Sequence, residues 1–361
     1  MNEKLLHTPE GVRDIYDAEC KKKKKVISQI HHVLELYSYQ DIDTPSFEYF
    51  DIFNMDKGSA ASNEMYKFFD RNNNTLVLRP DITPSIARSV AKYYPEEQLP
   101  IRLCYAGNTF LNTHQHQGKL SEFTQIGGEL INDDSSAADA EIIACVIHCL
   151  LAAGLKEFQI EIGEVEFFKG MIEEAGLDDE TEQRIKEYIH SKNFFGLTEF
   201  VNTLEIPEER KTALKSFESL FGGLDMLDHA EKLVTNAASL EAIARMRKVY
   251  TALTSYGYEK YVSFDLSMIN RFNYYTGIVF RGYTYGTGDA IVKGGRYNNL
   301  MEKFGKKAPS VGFAIYVDDL MSAIARLTLH LIIPMYLSCT RRKTRWKQSR
   351  MHVSCVRKIR R

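Results

Sequence analysis

The sequence predicts an α+β fold, an antiparallel sheet flanked by helices and interrupted by a helical insertion. Three observations point there. Several β-rich runs follow one another through polar or turn-forming links, among them "MYKFFDRNNNTLVLRPD", "IRLCYAGNTFL" and "FTQIGGELI". The stretch from about Phe167 to Tyr256 turns helical and charged and carries no strand signal. Neither a β-α-β alternation nor a G-x-G-x-x-G loop occurs, which argues against a dinucleotide fold.

In chain order, "TPEGVRDIYDAE" reads as an extended lead into a helix that ends near Tyr39. The five lysines Lys21 to Lys25 at its start read as a solvated face. "YQDIDTPSFEYFDIF" alternates apolar residues around Pro45, the pattern of a strand at a sheet edge. The runs on either side of Asn72, Asn73 and Asn74 form a hairpin, because asparagine tolerates tight-turn dihedrals. Thr83 and Pro84 open a helix, a capping hydroxyl followed by proline at the first helical position, and the helix extends to about Tyr94. The hairpin is expected to share one antiparallel sheet with "IRLCYAGNTFL" and "FTQIGGELI", which are joined by the polar loop "NTHQHQGKLSE". Asp139 to Ala153 is an apolar helix and "EFQIEIGE" a strand. After the helical stretch, strands resume with "KYVSFDLSMI", "YYTGIVFRGYTYG", "AIVKGG" and "SVGFAIYV".

With 361 residues the chain can build a sizeable core, and 44% hydrophobic with 26% charged residues is ordinary for a soluble globular protein. No apolar run reaches the roughly 18 residues of a membrane span, and the N-terminus carries charges where a signal peptide is apolar, so a cytoplasmic protein is expected. The cysteines form no C-x-x-C pair. Cys145 and Cys149 read as buried free thiols, and no metal is expected. The net charge of −2 hides a split: Arg326 and ten Lys or Arg from Arg341 onward give +11 with no acid after Asp319, so the rest carries −13. So acidic a body is a poor general nucleic-acid binder. The basic segment itself has no sustained period, and reads either as a nucleic-acid arm or as the product of a reading-frame change.

"VGFAIYVDDL" poses a chemical question, because a buried strand ends in two adjacent acids, Asp318 and Asp319. They either ligate a metal, stand where an anion no longer binds, or cap a helix. Five blocks bear on the answer: "LRPDITPSIAR", "RLCYAGNTF", "EFTQIGGEL", "NRFNYYTGIVF" and "GGRYNNLMEKFG…PSVGFAIYVDDL". In this order, from about Thr8 to Leu320, they resemble the catalytic core of histidyl-tRNA synthetase, a class II aminoacyl-tRNA synthetase. That resemblance implies a class II synthetase-like antiparallel sheet flanked by helices, with Pro45 in the dimer-forming first motif. It divides the chain into a core at 1–166 and 257–326, a helical insertion at 167–256 and an atypical basic tail at 327–361.

The resemblance implies two half-sites. One holds free histidine: Asp81, where the family has Glu, for the ammonium; Thr83 beside it; Gln125 and Glu129, four apart and so on one strand face, for polar groups of the ligand; Tyr105, Tyr274 and Tyr275 as aromatic wall. The other half would grip ATP with arginines, whose rigid forks pair with phosphate, and it departs from the pattern. Leu111, Asn112 and Thr113 follow Phe110 where Arg and Glu are implied; Asn270 and Asn273 replace Arg and Asp, with Arg271 one position along; and Asp318-Asp319-Leu320 replaces Glu-Arg-Leu. Losing one preorganised donor typically costs about 10²–10³ in rate. No catalytic residue is therefore expected.

Only forty-one residues follow Leu320, short of the mixed α/β unit implied for reading tRNA, so tRNA is not an expected partner. A synthetase-like chain with the histidine pocket and without the ATP arginines is similar to the regulatory subunits of ATP phosphoribosyltransferase. That likeness implies no cofactor, a short-form catalytic subunit as partner, histidine as ligand, class II-like dimers within a hetero-octamer, and feedback inhibition of the first step of histidine biosynthesis. An atypical histidine-activating enzyme is the alternative, should Arg271, Arg102 or Arg296 serve phosphate. A signalling module on a degenerate synthetase fold is a further rival, supported only by the basic tail.

Overall fold

The computed structural model describes residues 6–54, 61–112, 120–269 and 275–327. Helix α1 (Asp17–Leu36) buries Val26, Ile30, Val33 and Leu34, a single stripe at helical spacing. The chain reverses through Ser38, whose φ is 64°, and enters β1 (Gln40–Asp41) and β2 (Phe47–Tyr49), split by Pro45. After the short α2 (Asp51–Asn54), β3 (Lys67–Phe69) and β4 (Thr75–Leu78) form the expected hairpin. Asn73 takes φ 61°, and the Asp70 carboxylate accepts from the N–H groups of Asn72 and Asn74 at 2.8 and 2.9 Å.

The hairpin does not join the main sheet. It pairs with β2 in a separate three-stranded sheet ordered β2-β4-β3. Beyond β4, Pro80 lacks the N–H that a continuing ladder needs, and Arg79 turns inward to donate to the carbonyls of Thr44 and Asn108 at 2.6 and 2.9 Å.

Helix α3 (Thr83–Tyr93) carries Pro84 in its first turn as expected, but Thr83 does not cap it; the capping position is Ile82, with no side-chain bond. Strands β5 (Ile101–Phe110) and β6 (Glu122–Ile131) lead to α4 (Ser136–Ala152), capped by Ser135, whose hydroxyl accepts from the Ala138 N–H at 3.1 Å. Next come β7 (Gln159–Glu164), α5 (Val165–Ala175), α6 (Asp179–His190), α7 (Phe194–Asn202), α8 (Glu208–Lys215), β8 (Phe221–Gly222), α9 (Leu224–Glu231) and α10 (Ala237–Ser255). The strand β8 corrects the expectation of a purely helical stretch; two residues are too few for alternation to register in the sequence. The chain closes with β9 (Val262–Asp265), β10 (Ile278–Tyr283), β11 (Val292–Arg296) and β12 (Ser310–Tyr316), and residues 317–327 are helical.

Among the described residues the main sheet has nine strands, ordered β1-β5-β6-β12-β11-β10-β7-β9-β8. It is antiparallel except at β1–β5 and β7–β9, which are parallel. A parallel neighbour needs a long crossover, and the helices α5 to α10 supply the one between β7 and β9.

One face of the sheet, with Ile126, Phe280, Phe313 and Ile315, shares a continuous core with α1, α4, α5 and α10. Helix α4 is apolar on all sides because it lies in the middle of that core. Ile142, Ile143, Val146, Ile147 and Leu150 are each 0% exposed, and burying such a side chain contributes about 1.5–3 kcal/mol. Cys145 and Cys149 are buried free thiols there, as expected. The other face is covered at one end by α3, through Ile82, Ile86 and Val90. No helix among the described residues is long and apolar enough to cross a membrane.

Candidate functional site

The strand period builds the site. On β6, alternate residues Gln125, Gly127 and Glu129 point to the face away from α4. Register places Tyr105 opposite Gly127, Gly312 opposite Glu129, Tyr316 opposite Gln125, and Gly295 opposite Gly312, all on that face. The glycines hollow it out. A Cβ on Gly312 would overlap the Glu129 carboxylate, one on Gly295 the Tyr275 ring, and one on Gly127 the Tyr105 hydroxyl and the Phe313 carbonyl.

Glu129, 1% exposed, sits at the centre. The Thr83 hydroxyl, free of any capping duty, donates to its Oε1 at 2.7 Å, and the Tyr297 hydroxyl donates to Oε2. Burial outweighs both bonds and pushes the Glu129 carboxyl up to about 8, so it holds its proton at neutral pH. Asp81 lies at the start of α3 and accepts from the Ile82 N–H at 2.8 Å; burial raises its pKa against the pull of the Ile82 and Thr83 N–H groups. Tyr105 donates to the Phe313 carbonyl at 3.4 Å, and desolvation holds its hydroxyl well above the ordinary range. Tyr275 is shifted the same way, first by desolvation and then by Asp81 and Glu129 nearby.

Gln125 is 3% exposed, and its Oε1 has no hydrogen-bond partner among the described residues. An unpaired buried acceptor costs about 1–3 kcal/mol, so a ligand bringing a donor to this point is favoured by that amount.

The structure thus brings Asp81, Thr83, Tyr105, Glu129 and Tyr275 together, with Gln125 on the same face. Tyr274, Asn270, Arg271 and Asn273 lie outside the described residues. Sequence reasoning missed Tyr297 and Tyr316. Both were reachable by alternation, Tyr297 from Gly295 and Tyr316 from Gly312. Tyr316 packs 5.8 Å from the Phe123 ring with the Lys293 ammonium 5.3 Å from its own ring centre, and burial raises its hydroxyl pKa.

Of the three arginines named for a phosphate role, Arg271 lies outside the described residues, and the other two are committed elsewhere. Arg102 makes a two-pronged pair with Glu141, both bonds 2.7 Å. Arg296, 2% exposed, lies on the opposite face and grips Asp139 at 3.0 and 2.8 Å. Asp318 also has structural partners: it accepts from Lys23 Nζ at 2.8 Å and from the Thr124 N–H at 2.9 Å, tying α1 to β6. Lys23 is therefore no longer part of a purely solvated lysine face, whereas its four neighbours are exposed. Two cations do share the site face, Lys293 on β11 directly opposite Arg281 on β10.

The chain matches the family profile described as histidyl-tRNA synthetase over residues 11–320. It is 42% identical over 326 residues to the ATP phosphoribosyltransferase regulatory subunit of Acetivibrio thermocellus, covering 90% of this chain and 78% of the relative. The same protein of Ruminiclostridium cellulolyticum is 42% identical over 321 residues, covering 89% and 77%. Among solved structures, an ATP phosphoribosyltransferase regulatory subunit/histidyl-tRNA synthetase from Bacillus halodurans superposes with a TM-score of 0.84 at 35% identity, covering 89% of this chain and 83% of that one. A histidyl-tRNA synthetase from a Nostoc species shares the fold, with a TM-score of 0.75 at 20% identity over 97% and 88%.

Proposed function

Because the chain belongs to the ATP phosphoribosyltransferase regulatory subunits, a family with the class II fold of histidyl-tRNA synthetase, we propose that it activates a short-form catalytic phosphoribosyltransferase subunit and senses histidine in the hollow on the open sheet face. The Oε1 of buried Gln125, without a hydrogen-bond partner among the described residues and on the same sheet face as a Glu129 carboxyl held in place by Thr83 and Tyr297, carries this reading. Histidine offers an ammonium to Asp81, ring N–H groups to Gln125 or Glu129, and a flat ring to Tyr105 and Tyr275. The protein itself runs no reaction here: Arg102 and Arg296 are spent on Glu141 and Asp139, and acids stand at 318 and 319. Feedback then follows by linkage. Histidine shifts the assembly toward whichever state it binds better, by the difference in affinity.

Self-association fits the small sheet. Phe47 and Tyr49 are 53% and 56% exposed, and on the same face Phe68 meets Phe47 edge to face with ring centres 5.8 Å apart. So contiguous an apolar face marks an association surface, and we assign it to a second copy of the chain. The subunit works in the cytoplasm as part of a hetero-octamer with the catalytic chains, without cofactor or tRNA.

Mixing the purified protein with a short-form catalytic subunit tests the proposal. Phosphoribosyl transfer should appear only in the mixture and fall on adding histidine; activity of the catalytic chain unaffected by this protein would end it. The rival reading, histidine activation, draws on Lys293 and Arg281 sharing the site face. ATP–pyrophosphate exchange dependent on histidine would establish the rival, and none is expected.

A further inference from the structure

Away from the hollow, three side chains with metal-binding atoms converge where α1 crosses the edge of the main sheet. His31 Nε2 lies 2.7 Å from Asp41 Oδ1, and Cys104 Sγ lies 3.5 Å from the same oxygen. One donor atom from each is within 4.8 Å of the other two. We propose that His31, Asp41 and Cys104 form a zinc-binding site with a fourth position open to solvent.

An imidazole nitrogen, a carboxylate oxygen and a thiolate are the donor set Zn²⁺ takes. Tetrahedral bonds of about 2.0–2.3 Å separate such donors by roughly 3.3–3.8 Å; the Asp41–Cys104 separation of 3.5 Å falls in that range, and the His31–Asp41 separation of 2.7 Å must open on binding. Asp41, the ligand that must move most, has 74% of its side chain exposed, whereas Cys104 is fully buried. The ion therefore has an entry side and a fixed anchor. Behind the imidazole, the Glu35 carboxylate lies 3.8 Å from His31 Nδ1, beyond hydrogen-bond distance but close enough to add negative potential to the site. The polypeptide brings a carboxylate against a buried thiol, and burial with the Asp41 charge pushes that thiol up to about 12. A dication reverses this: the Cys104 S–H bond breaks, the sulfur pair goes to zinc, and one proton leaves to solvent. The site would pin α1 to β1 and β5. Its ligands stand 10 and 63 positions apart in the chain, so no spacing motif announces it, and the sequence expectation of no metal is revised.

The full chain, stripped with a chelator, is titrated with Co²⁺ as probe and then with Zn²⁺ in competition. One equivalent should bind with a near-ultraviolet thiolate-to-cobalt band and four-coordinate visible bands. Cys104→Ser should abolish the thiolate band, His31→Ala and Asp41→Asn should weaken binding by at least tenfold, and Glu35→Gln should weaken it by less than tenfold. His31 and Asp41 are at least partly exposed, so those two variants keep the fold if Cys104→Ser does not. A cobalt spectrum like that of the aqueous ion, or a thiolate band that survives Cys104→Ser, would overturn the site.

Discussion

Glu129 shows how one residue is decided by its surroundings. Its carboxyl titrates near 4.5 in an open chain and is raised to about 8 in the fold, chiefly by burial. The folded protein therefore keeps a proton that the unfolded chain has released, and stability falls as pH rises between those two values. Its contribution is complete below the lower value and gone above the upper. Glu164, also buried and also raised to about 8, adds a slope of the same sign. Thermal melts of Glu129→Gln at about pH 5 and pH 8 should show a smaller drop than the parent, with the Glu164 part remaining; an unchanged drop would mean the carboxyl is ionised in the fold. That Gln125 and Glu129 share a face was legible, since the strand period is two. The partner of Thr83 was not, because a hydroxyl at a helix start has a local backbone N–H to satisfy, and only the folded chain brings Glu129 to it from 46 positions away.

At the scale of elements, the hollow depends on glycines that share one face of β6, β12 and β11. Gly312→Ala puts a methyl into the Glu129 carboxylate. It should cost about 1–3 kcal/mol of stability, as other overpacked interiors do, and weaken histidine binding in calorimetry; intact binding would show that the ligand sits elsewhere. The strands themselves were readable from alternation and turn residues, as the β3–β4 hairpin at Asn73 shows. Which sheet they join was not. Pro80 and the inward turn of Arg79 send that hairpin to β2, and nothing in the pattern of β3 or β4 distinguishes the two destinations. The two-residue strand β8 was invisible for want of length.

For the whole molecule, the open face of the small sheet is the testable surface. Replacing Phe47 and Tyr49 by Asp should turn a dimer into a monomer by light scattering while leaving the melting temperature of the monomer close to the parent; a dimer that persists would place the contact on another face. By itself the sequence determined most of the strands and helices and the polar pair on β6, because periodicity and residue chemistry are local properties. Only the tertiary structure decided that Tyr297 and Thr83 hold Glu129, that Asp318 is held by Lys23, and that His31, Asp41 and Cys104 meet. Those pairings join residues far apart in the chain, and a contact between distant residues exists only once packing has fixed both of their backbones.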